Sequence, residues 1–256
     1  MRGRLIVNAD DWGRDPRTTD MTAACIAAGA VSSVSAMVFM EDSERAAEIA
    51  RDRAIDAGLH LNFTTPFSAE RCRTRLAERQ AVLGRYLRHH RFAQVIYRRG
   101  LAHDFEYVVK AQIDEFRRLY GAEPVRFDGH HHMHLCANVL RQHLLPARSL
   151  VRRNFSFDGG EKGLVNRLYR RLVDRRLARR YRLTDFFFSL PPLEPASRLS
   201  RIFSLAREHV VEVETHPVNA EEYRFLVEGE LFHRTRDLAI TAPASLAVGR
   251  ANGGHP

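Results

Sequence analysis

Short aliphatic runs alternate along the chain with longer segments in which apolar residues recur every three or four positions. The first run, from Leu5 to Val7, stops at polar residues and predicts a buried strand. Farther along, the segment from Phe105 to Leu119 carries apolar side chains at helical spacing, and Gly121 follows it as a helix stop. The two periods together predict a chain that alternates strands with helices.

This alternation extends over most of the sequence. It predicts strands at residues 4–8, 33–38, 58–62, 125–128, 186–190 and 210–215, and helices at residues 18–28, 43–51, 105–120, 137–149, 164–182 and 199–207. Residues 63–103 are less regular, which favours loops with helical pieces. A repeated strand–helix order is typical of an α/β fold with parallel strands.

Acidic and histidine side chains lie at the ends of the predicted strands. Asp10 and Asp11 follow the first strand, His60 lies in the third, and His216 follows the last. The fourth strand is followed by four histidines within five positions, at 130, 131, 132 and 134. Parallel α/β folds carry their chemistry at the carboxyl ends of the strands. A barrel or a curved sheet would bring these four strand ends together.

One carboxylate with two imidazoles is a common ligand set of catalytic metal ions, because three protein ligands leave room for water and substrate. Asp11, His60 and one histidine of the 130–134 cluster would supply this set. Asp10 would then lie beside the metal as a general base, and His216 would lie on the opposite side as a general acid.

Each of these residues also has a purely structural explanation. An Asp-Asp pair after a strand is often a turn or a helix cap, and a strand histidine such as His60 is often a satisfied core residue. The histidine cluster could be a chance metal-binding tract on a loop, and His216 could be bonded to backbone at a strand end. Because none of these explanations predicts a shared placement at strand ends, that placement favours a metal site.

The composition is that of a folded globular protein. The chain has 256 residues, 45% of them hydrophobic and 28% charged, and we expect residues 1–256 to form a single domain. No apolar run has the ~20 residues that span a bilayer, and the first residues lack the pattern of a secretory signal. The three cysteines, Cys25, Cys72 and Cys136, form no disulfide pattern. We therefore expect a cytoplasmic protein.

The net charge is +9, and all but two of the 40 basic residues are arginine. Eight arginines fall between Arg167 and Arg182, in a predicted helix with leucines on one face. We expect a surface helix docked on the fold, with peripheral contact to an anionic membrane or a polyanion as the alternative. No interleaved aromatic residues support base stacking, so no nucleic acid partner is expected. The oligomeric state is left open, a homo-oligomer included.

Four sequence elements together resemble one known family. Residues 7–13 read V-N-A-D-D-W-G, residues 58–62 G-L-H-L-N, residues 127–134 F-D-G-H-H-H-M-H and residues 214–217 E-T-H-P. In this order they are similar to motifs of the YdjC-like carbohydrate deacetylases, a family that includes chitooligosaccharide and hopanoid-associated deacetylases. Trp12 stands where that family usually has Phe, and Val218 stands where a small residue is common.

The resemblance implies a (β/α) barrel-like fold, an irregular TIM-type barrel with parallel strands, and hydrolysis of an N-acetyl group on an amino sugar. It implies that Asp11, His60 and His130 bind one divalent metal ion. Asp10 would take a proton from metal-bound water, and His216 would protonate the departing amine. Magnesium or zinc is the expected ion, and manganese, iron and cobalt also suit these ligands.

The partner that the resemblance implies is an N-acetylated sugar, either chitooligosaccharide-like or lipid-linked. A lipid-linked sugar would place the basic helix against a bilayer. Two other functions fit parts of the sequence. A metal phosphoesterase on a similar barrel would use two or three metal ions and more ligands. A basic protein that binds membranes or nucleic acid through residues 164–182 would leave the strand-end residues unexplained.

Overall fold

Seven strands form one sheet in the computed structural model, which describes residues 3–90, 92–157 and 163–244. The strands are β1 (Arg4–Trp12), β2 (Ser33–Ala36), β3 (Ala57–Leu61), β4 (Arg126–Gly129), β5 (Leu150–Val151), β6 (Phe186–Ser189) and β7 (Val210–Thr215). Their order across the sheet is β5-β4-β3-β2-β1-β7-β6. Every adjacent pair is parallel, so the predicted α/β fold is confirmed.

Helices connect the strands. They are α1 (Pro16–Ala27), α2 (Ser43–Asp52), α3 (Thr74–His89), α4 (Ala102–Tyr120), α5 (Ala137–Arg141), α6 (Leu164–Ala178), α7 (Ala196–Leu205), α8 (Ala220–Val227) and α9 (Glu230–Arg234), with 3-10 helices at Arg99–Leu101 and His130–Leu135. Gly121 ends α4 with a φ of 68°, the left-handed stop that the sequence predicts. Among the helices of the described residues, none combines the length and the apolar character needed to cross a membrane.

The sheet curls until its two edges meet. Leu150 of β5 forms a parallel bridge with Arg182, which lies just before β6. The Val151 N–H donates to the Arg182 carbonyl at 2.9 Å, and the Ser156 N–H donates to the Phe187 carbonyl at 2.8 Å. These bonds connect the chain around β5 with the chain around β6, so the sheet forms the predicted barrel-like structure.

The barrel is apolar outside and polar inside. On β1, Val7 and Ala9 belong to the hydrophobic core that packs under the helices, whereas the Asn8 side chain accepts hydrogen bonds from Ser33 and Arg126 inside the barrel. The same alternation places these polar side chains inside: Ser35, His60, Asp128, Glu212 and Glu214. Because successive strand residues face opposite sides, one set of seven strands builds the core and also a buried polar interior.

One predicted helix is wrong, and one strand was not predicted. The helix expected at residues 137–149 ends already at Arg141, because His143 and Arg148 adopt positive φ values of 55° and 66° and Pro146 lies between them. The two-residue strand β5 follows, and no hydrophobic run in the sequence predicts it. In residues 63–103, where loops with helical pieces are expected, the structure has the 16-residue helix α3.

Candidate active site

A bulge in β1 turns two neighbouring carboxylates to the same side. The pairing of β1 with β2 shifts register between Ala9 and Trp12, and Asp11 has a φ of 64°. In a regular strand Asp10 and Asp11 would face opposite sides of the sheet. Here both approach the same histidine: the His60 Nε2 atom lies 4.0 Å from Asp10 Oδ2 and 3.4 Å from Asp11 Oδ1. The left-handed backbone at Asp11 is therefore part of how the site is built.

The imidazole of His60 is held between acids. Its Nδ1 atom lies 2.8 Å from Asp128 Oδ1 on the neighbouring strand β4, so the Nε2 atom faces Asp10 and Asp11. Burial disfavours a charged ring, but the Asp10 carboxylate and the bonds to Asp11 and Asp128 raise the pKa of His60 to about 10. The carboxylates around His60 therefore favour a positive charge next to its Nε2 atom.

His130 completes a group of three potential metal ligands with Asp11 and His60, here called the donor cluster. Its Nδ1 atom lies 2.9 Å from Asp11 Oδ1, and its ring centroid lies 5.7 Å from that of His60. One donor atom from each of Asp11, His60 and His130 lies within 4.8 Å of the others, and all three residues are buried. The hydrogen bonds from His130 and His60 hold the pKa of Asp11 well below its usual range despite its burial. The structure thus brings together the three side chains expected to bind a metal.

Asp10 is gripped by an arginine that the sequence analysis did not identify. The two terminal nitrogens of Arg152 lie 2.6 and 2.8 Å from the two oxygens of Asp10. Asn8 Nδ2 donates to Asp10 Oδ1 at 2.8 Å. Burial opposes ionisation of Asp10, but the guanidinium outweighs it and lowers the pKa of this carboxyl. Asp10 is therefore an ionised and tightly oriented carboxylate beside the donor cluster.

Arg152 also contacts three further acids. Its side chain is within 3.3 Å of Asp128, Glu212 and Glu214. Burial, and then the neighbouring Asp10 carboxylate, raises the pKa of Glu214 well above its usual value. Burial likewise raises the pKa of Glu212. Arg152 thus binds four buried acids in the barrel interior.

The remaining histidines of the 130–134 cluster have different surroundings. His131 is exposed and bonds Thr64 Oγ1 through its Nδ1 atom at 2.9 Å. The His132 ring packs edge-on against Phe155 and Phe187, with centroid distances of 4.6 and 5.8 Å. Burial, and then the charge of Arg152, lowers the pKa of His132 to about 3. The buried His134 bonds the Arg152 carbonyl through Nε2 at 2.9 Å, which ties the histidine turn to the arginine.

His216 lies at the same edge of the barrel. Thr215 pairs with Ala9 in the β1–β7 ladder, so His216 follows at the level of Asp10. Its backbone N–H donates to Glu222 Oε2 at 2.8 Å, and Asn219 Nδ2 donates to Glu222 Oε1 at 2.8 Å, which fixes this end of β7. The residue is half-buried. The predicted strand end is confirmed as its location.

Sequence reasoning quoted Asp128 without giving it a role, and it did not consider Arg152. Asp128 had an available signal, because it stands two residues before the first cluster histidine in a predicted strand. No signal in the sequence marks Arg152, because it follows a strand of only two residues and is one arginine among 38. Its partner Asp10 lies 142 positions away in the sequence.

The donor set fits a divalent metal ion. Asp128 holds His60 through Nδ1, which leaves the Nε2 lone pair for a ligand, as second carboxylates do for histidines that bind metals. A second grouping, Asp10, His60 and Asp128, also lies within 4.8 Å. In that grouping the guanidinium of Arg152 already occupies both oxygens of Asp10 and contacts Asp128. The described residues therefore favour one metal position, at Asp11, His60 and His130.

Residues 4–245 match the family model described as YdjC-like protein. Carbohydrate deacetylases from Mus musculus and Homo sapiens are 33% and 34% identical to this chain over 139 and 141 residues, which is 54% of this chain and 45% and 43% of those proteins. A chitooligosaccharide deacetylase from Yersinia pestis (strain Pestoides F) is 31% identical over 142 residues, 54% of this chain and 53% of that protein. The alignments thus span about half the length of these curated relatives.

Two solved structures share the fold. A putative cellobiose-phosphate cleavage protein from Enterococcus faecalis V583 superimposes with a TM-score of 0.65 at 18% identity, over 96% of this chain and 99% of that one. The Xyl-CE4 domain of a multidomain xylanase from the hindgut metagenome of Trinervitermes trinervoides gives a TM-score of 0.52 at 6% identity, over 98% and 92%. At these identities the likeness concerns the fold alone.

Proposed function

Because the chain belongs to the YdjC-like family, we propose that it is a metal-dependent carbohydrate deacetylase. It removes N-acetyl groups from an amino sugar or oligosaccharide, of a chitooligosaccharide-like or lipid-linked kind. The names of the relatives support this substrate class. The observation that carries the proposal is the convergence of Asp11, His60 and His130 beside the oriented carboxylate of Asp10.

The proposed cofactor is one divalent ion held by Asp11, His60 and His130. Bound there, such an ion supplies Lewis-acid polarisation of the acetyl carbonyl and lowers the pKa of water. Magnesium and zinc are the first candidates, and a ligand set of one carboxylate and two imidazoles also suits manganese, iron and cobalt.

Asp10 is the proposed general base. Arg152 and Asn8 hold its two oxygens in one orientation, and its lowered pKa keeps it ionised and free of a proton. A positioned base of this kind typically contributes about 10²–10⁴-fold to the rate. Since both oxygens are engaged by fixed donors, Asp10 does not need to reorganise during proton transfer.

His216 is the proposed general acid, which donates a proton to the departing sugar amine. Its place at the end of β7, level with Asp10, supports this role. The Glu222 carboxylate fixes its backbone N–H, so the acid is carried by an ordered strand end rather than by a free loop.

An aromatic wall lies beside the base. Phe155 stacks on Phe187 at a centroid distance of 4.6 Å, and Arg152 lies over Phe187 at 4.9 Å. Phe155 is half-buried and His132 packs against it, so both side chains are partly accessible next to Asp10. Flat apolar surfaces of this kind suit the carbon face of a sugar ring.

The phosphoesterase alternative needs a second metal ion close to the first. Arg152 stands between Asp10 and Asp128, where the second acidic grouping would have to bind that ion. The contacts of Arg152 therefore support a single-metal hydrolase over a two-metal phosphoesterase.

The test is release of acetate and free amine from N-acetylated chitooligosaccharides. The protein is stripped with chelator and then reloaded with magnesium, zinc or manganese, and bound metal is counted by elemental analysis. We expect one ion per chain and turnover that returns on reloading. A fully loaded protein that deacetylates no N-acetyl sugar and no other amide would contradict the proposal, and two ions per chain with phosphate ester hydrolysis would favour the phosphoesterase.

We further propose that residues 1–256 form one domain and that the protein works in the cytoplasm. The sheet that runs without interruption from β1 to β7, and the family match over residues 4–245, support the first point. The three cysteines are unpaired, which supports a reducing compartment.

A further inference from the structure

Helix α6 contacts the barrel through one side only. Asp174 and Leu177 are buried on that side, and Arg170 lies over the Phe157 ring at 5.0 Å. The opposite side, here called the α6 outer face, consists of five exposed apolar residues: Leu164 (78% exposed), Val165 (83%), Leu168 (54%), Tyr169 (39%) and Leu172 (54%). Each of them has another of the five three or four positions away, the spacing of one helix face. Five of the eleven large hydrophobic side chains exposed in the described residues are therefore gathered on one helix face.

The residues that join α6 to the barrel follow the carboxyl end of β5, the edge at which the candidate site lies. Asp174 accepts hydrogen bonds from the backbone and side-chain nitrogens of Asn154 at 3.1 and 2.8 Å, just after β5. One turn earlier in α6, Arg170 contacts Phe157, which is farther along the chain leaving β5. The helix thus runs back along that segment. The start of α6 therefore lies toward the carboxyl edge, on the side of Phe155 and Phe157.

A second apolar group lies at the same edge. Phe92, Val95 and Ile96 are 56%, 52% and 54% exposed. Their loop is anchored on the start of α5, where the Ala137 N–H donates to the Gln94 carbonyl at 2.8 Å and the Arg98 N–H donates to Asn138 Oδ1 at 2.9 Å. Helix α5 begins directly after the histidine turn 130–135. This second apolar group therefore lies next to the turn that carries His130.

Arginines surround the α6 outer face. Arg171, Arg175, Arg176 and Arg179 are exposed, and no carboxylate in the part of the chain that the structure describes pairs with them. The single acid of α6, Asp174, is buried against Arg153 at 2.9 Å. Exposed aliphatic and aromatic side chains bordered by unpaired arginines are the pattern of helices that lie in the interface of an anionic membrane.

Other occupants fit this face less well. A second copy of the chain packed symmetrically on α6 would set like charges against each other. Nucleic acid would neutralise the arginines but would leave Leu168 and Leu172 in water. We propose that the α6 outer face docks on an anionic phospholipid bilayer, with the carboxyl edge of the barrel turned toward the lipid. The docking is a property of the surface and does not depend on the reaction.

The first test is co-sedimentation of the full chain with phosphatidylcholine vesicles that contain or lack phosphatidylglycerol, at low and at high salt. We expect binding to the anionic vesicles that weakens with salt. The double variant Leu168→Ser/Leu172→Ser should weaken it about tenfold or more, since each leucine loses apolar burial. Arg175→Gln/Arg176→Gln should do so by a similar factor of about ten, since each arginine near an anionic surface contributes to the attraction.

Matched controls lie at the other end of the barrel. Val125 is 65% exposed just before β4, and Arg53 is exposed after α2. Val125→Ser and Arg53→Gln remove the same kinds of side chain, and binding should stay unchanged in both. The α6 variants should also keep wild-type turnover of a water-soluble N-acetyl sugar. A docking failure is thereby distinguished from a failure of the proposed function.

The second test separates insertion from charge adsorption. Trp12 is fully buried and is the single tryptophan of the chain, so Leu168→Trp adds one exposed indole on the outer face. Anionic vesicles should shift its emission to the blue, and brominated lipids should quench it.

Three results would overturn the proposal. The first is equal binding to vesicles with and without phosphatidylglycerol. The second is binding to duplex DNA as tight as to vesicles, with no emission shift in Leu168→Trp. The third is an absence of binding to anionic vesicles. If the α6 variants then also change the oligomeric state in light scattering, the face is assigned to self-association.

Discussion

The two halves of the barrel accommodate positive charge in different ways. On the side of β3 and β4, His60 and His130 direct ring nitrogens toward Asp11, and the place between them suits a metal ion. On the side of β5 and β7, the positive charge belongs to the chain itself, because Arg152 fills the interior. Asp10 stands on the border, close to His60 but bonded to Arg152. The difference teaches that two adjacent carboxylates take separate roles according to which cation each one meets.

Single substitutions of Asp10 and Asp11 test whether the two carboxylates have separate roles. Asp10→Asn should lower kcat about 10²–10⁴-fold while bound metal stays near wild type, because Asp10 contacts Arg152 rather than the metal position. Asp11→Ala should lose the metal itself. Acetate release and elemental analysis on both variants check this. If Asp10→Asn loses as much metal as Asp11→Ala, the two roles are reversed.

Arg152 tests the other half. Arg152→Met should reduce the free energy of unfolding by about 3–5 kcal/mol, because it leaves buried acids without their shared cation. Lys110, an exposed lysine paired with Asp114 at 3.5 Å on α4, provides the control. Lys110→Met should cost at most about 1 kcal/mol. Denaturant unfolding of both variants measures the difference, and equal losses would mean that Arg152 is no more than an ordinary surface-like ion pair.

Asp128 connects the halves, since it bonds His60 and contacts Arg152. Asp128→Asn should weaken metal affinity about 10–100-fold, because the His60 ring loses the carboxylate that orients it. Isothermal titration of the metal-free protein measures the affinity. Asp42→Asn, at a buried carboxylate outside the site, is the matched control and should leave the affinity unchanged. Unchanged metal affinity in Asp128→Asn would mean that Asp128 pairs with Arg152 but does not orient His60 for the metal.

Glu214 gives the smallest expected effect. Its pKa is raised in the folded protein, so the folded state binds more protons than the unfolded chain above about pH 4.5, the ordinary value of a glutamic acid. Stability from this group is therefore present at low pH and is lost as the pH rises through the raised pKa. Relative to wild type, the free energy of unfolding of Glu214→Gln should rise by up to about 1 kcal/mol per pH unit over that range. Denaturant unfolding of the metal-free proteins across the acidic-to-neutral range measures this difference. The same pH dependence in both proteins would mean that Glu214 is not the group whose raised pKa lowers stability.

Much of the fold could be predicted from the sequence. The runs around Leu5–Val7 and Val211–Val213 are buried strands with the predicted direction, and Gly121 ends α4 as expected. The helix that ends early and the strand that was not predicted have physical causes. Helix 137–149 fails because positive φ values at His143 and Arg148 interrupt an otherwise helical pattern. Strand β5 has only two residues, which is too short for any periodicity to show.

The residues of the candidate site could also be predicted from the sequence. Acids and histidines at strand ends, together with a resemblance to known motifs, pointed to Asp10, Asp11, His60, His130 and His216, and the structure puts all five at one edge of the barrel. Their chemical roles stay predictions. The bulge that turns Asp10 and Asp11 to one side could not be foreseen, because strand alternation alone would separate them.

The amino-acid sequence by itself determined the parallel α/β architecture and the carboxyl edge as the place of chemistry, since hydrophobic period and residue type are local properties of the chain. Only the tertiary structure decided that Arg152 clamps Asp10, that Asp128 orients His60, and that α6 leaves an apolar face uncovered. Those contacts depend on the order of the strands and on the curl of the sheet. Both come from packing between segments far apart in the chain, and local periodicity carries no record of that packing.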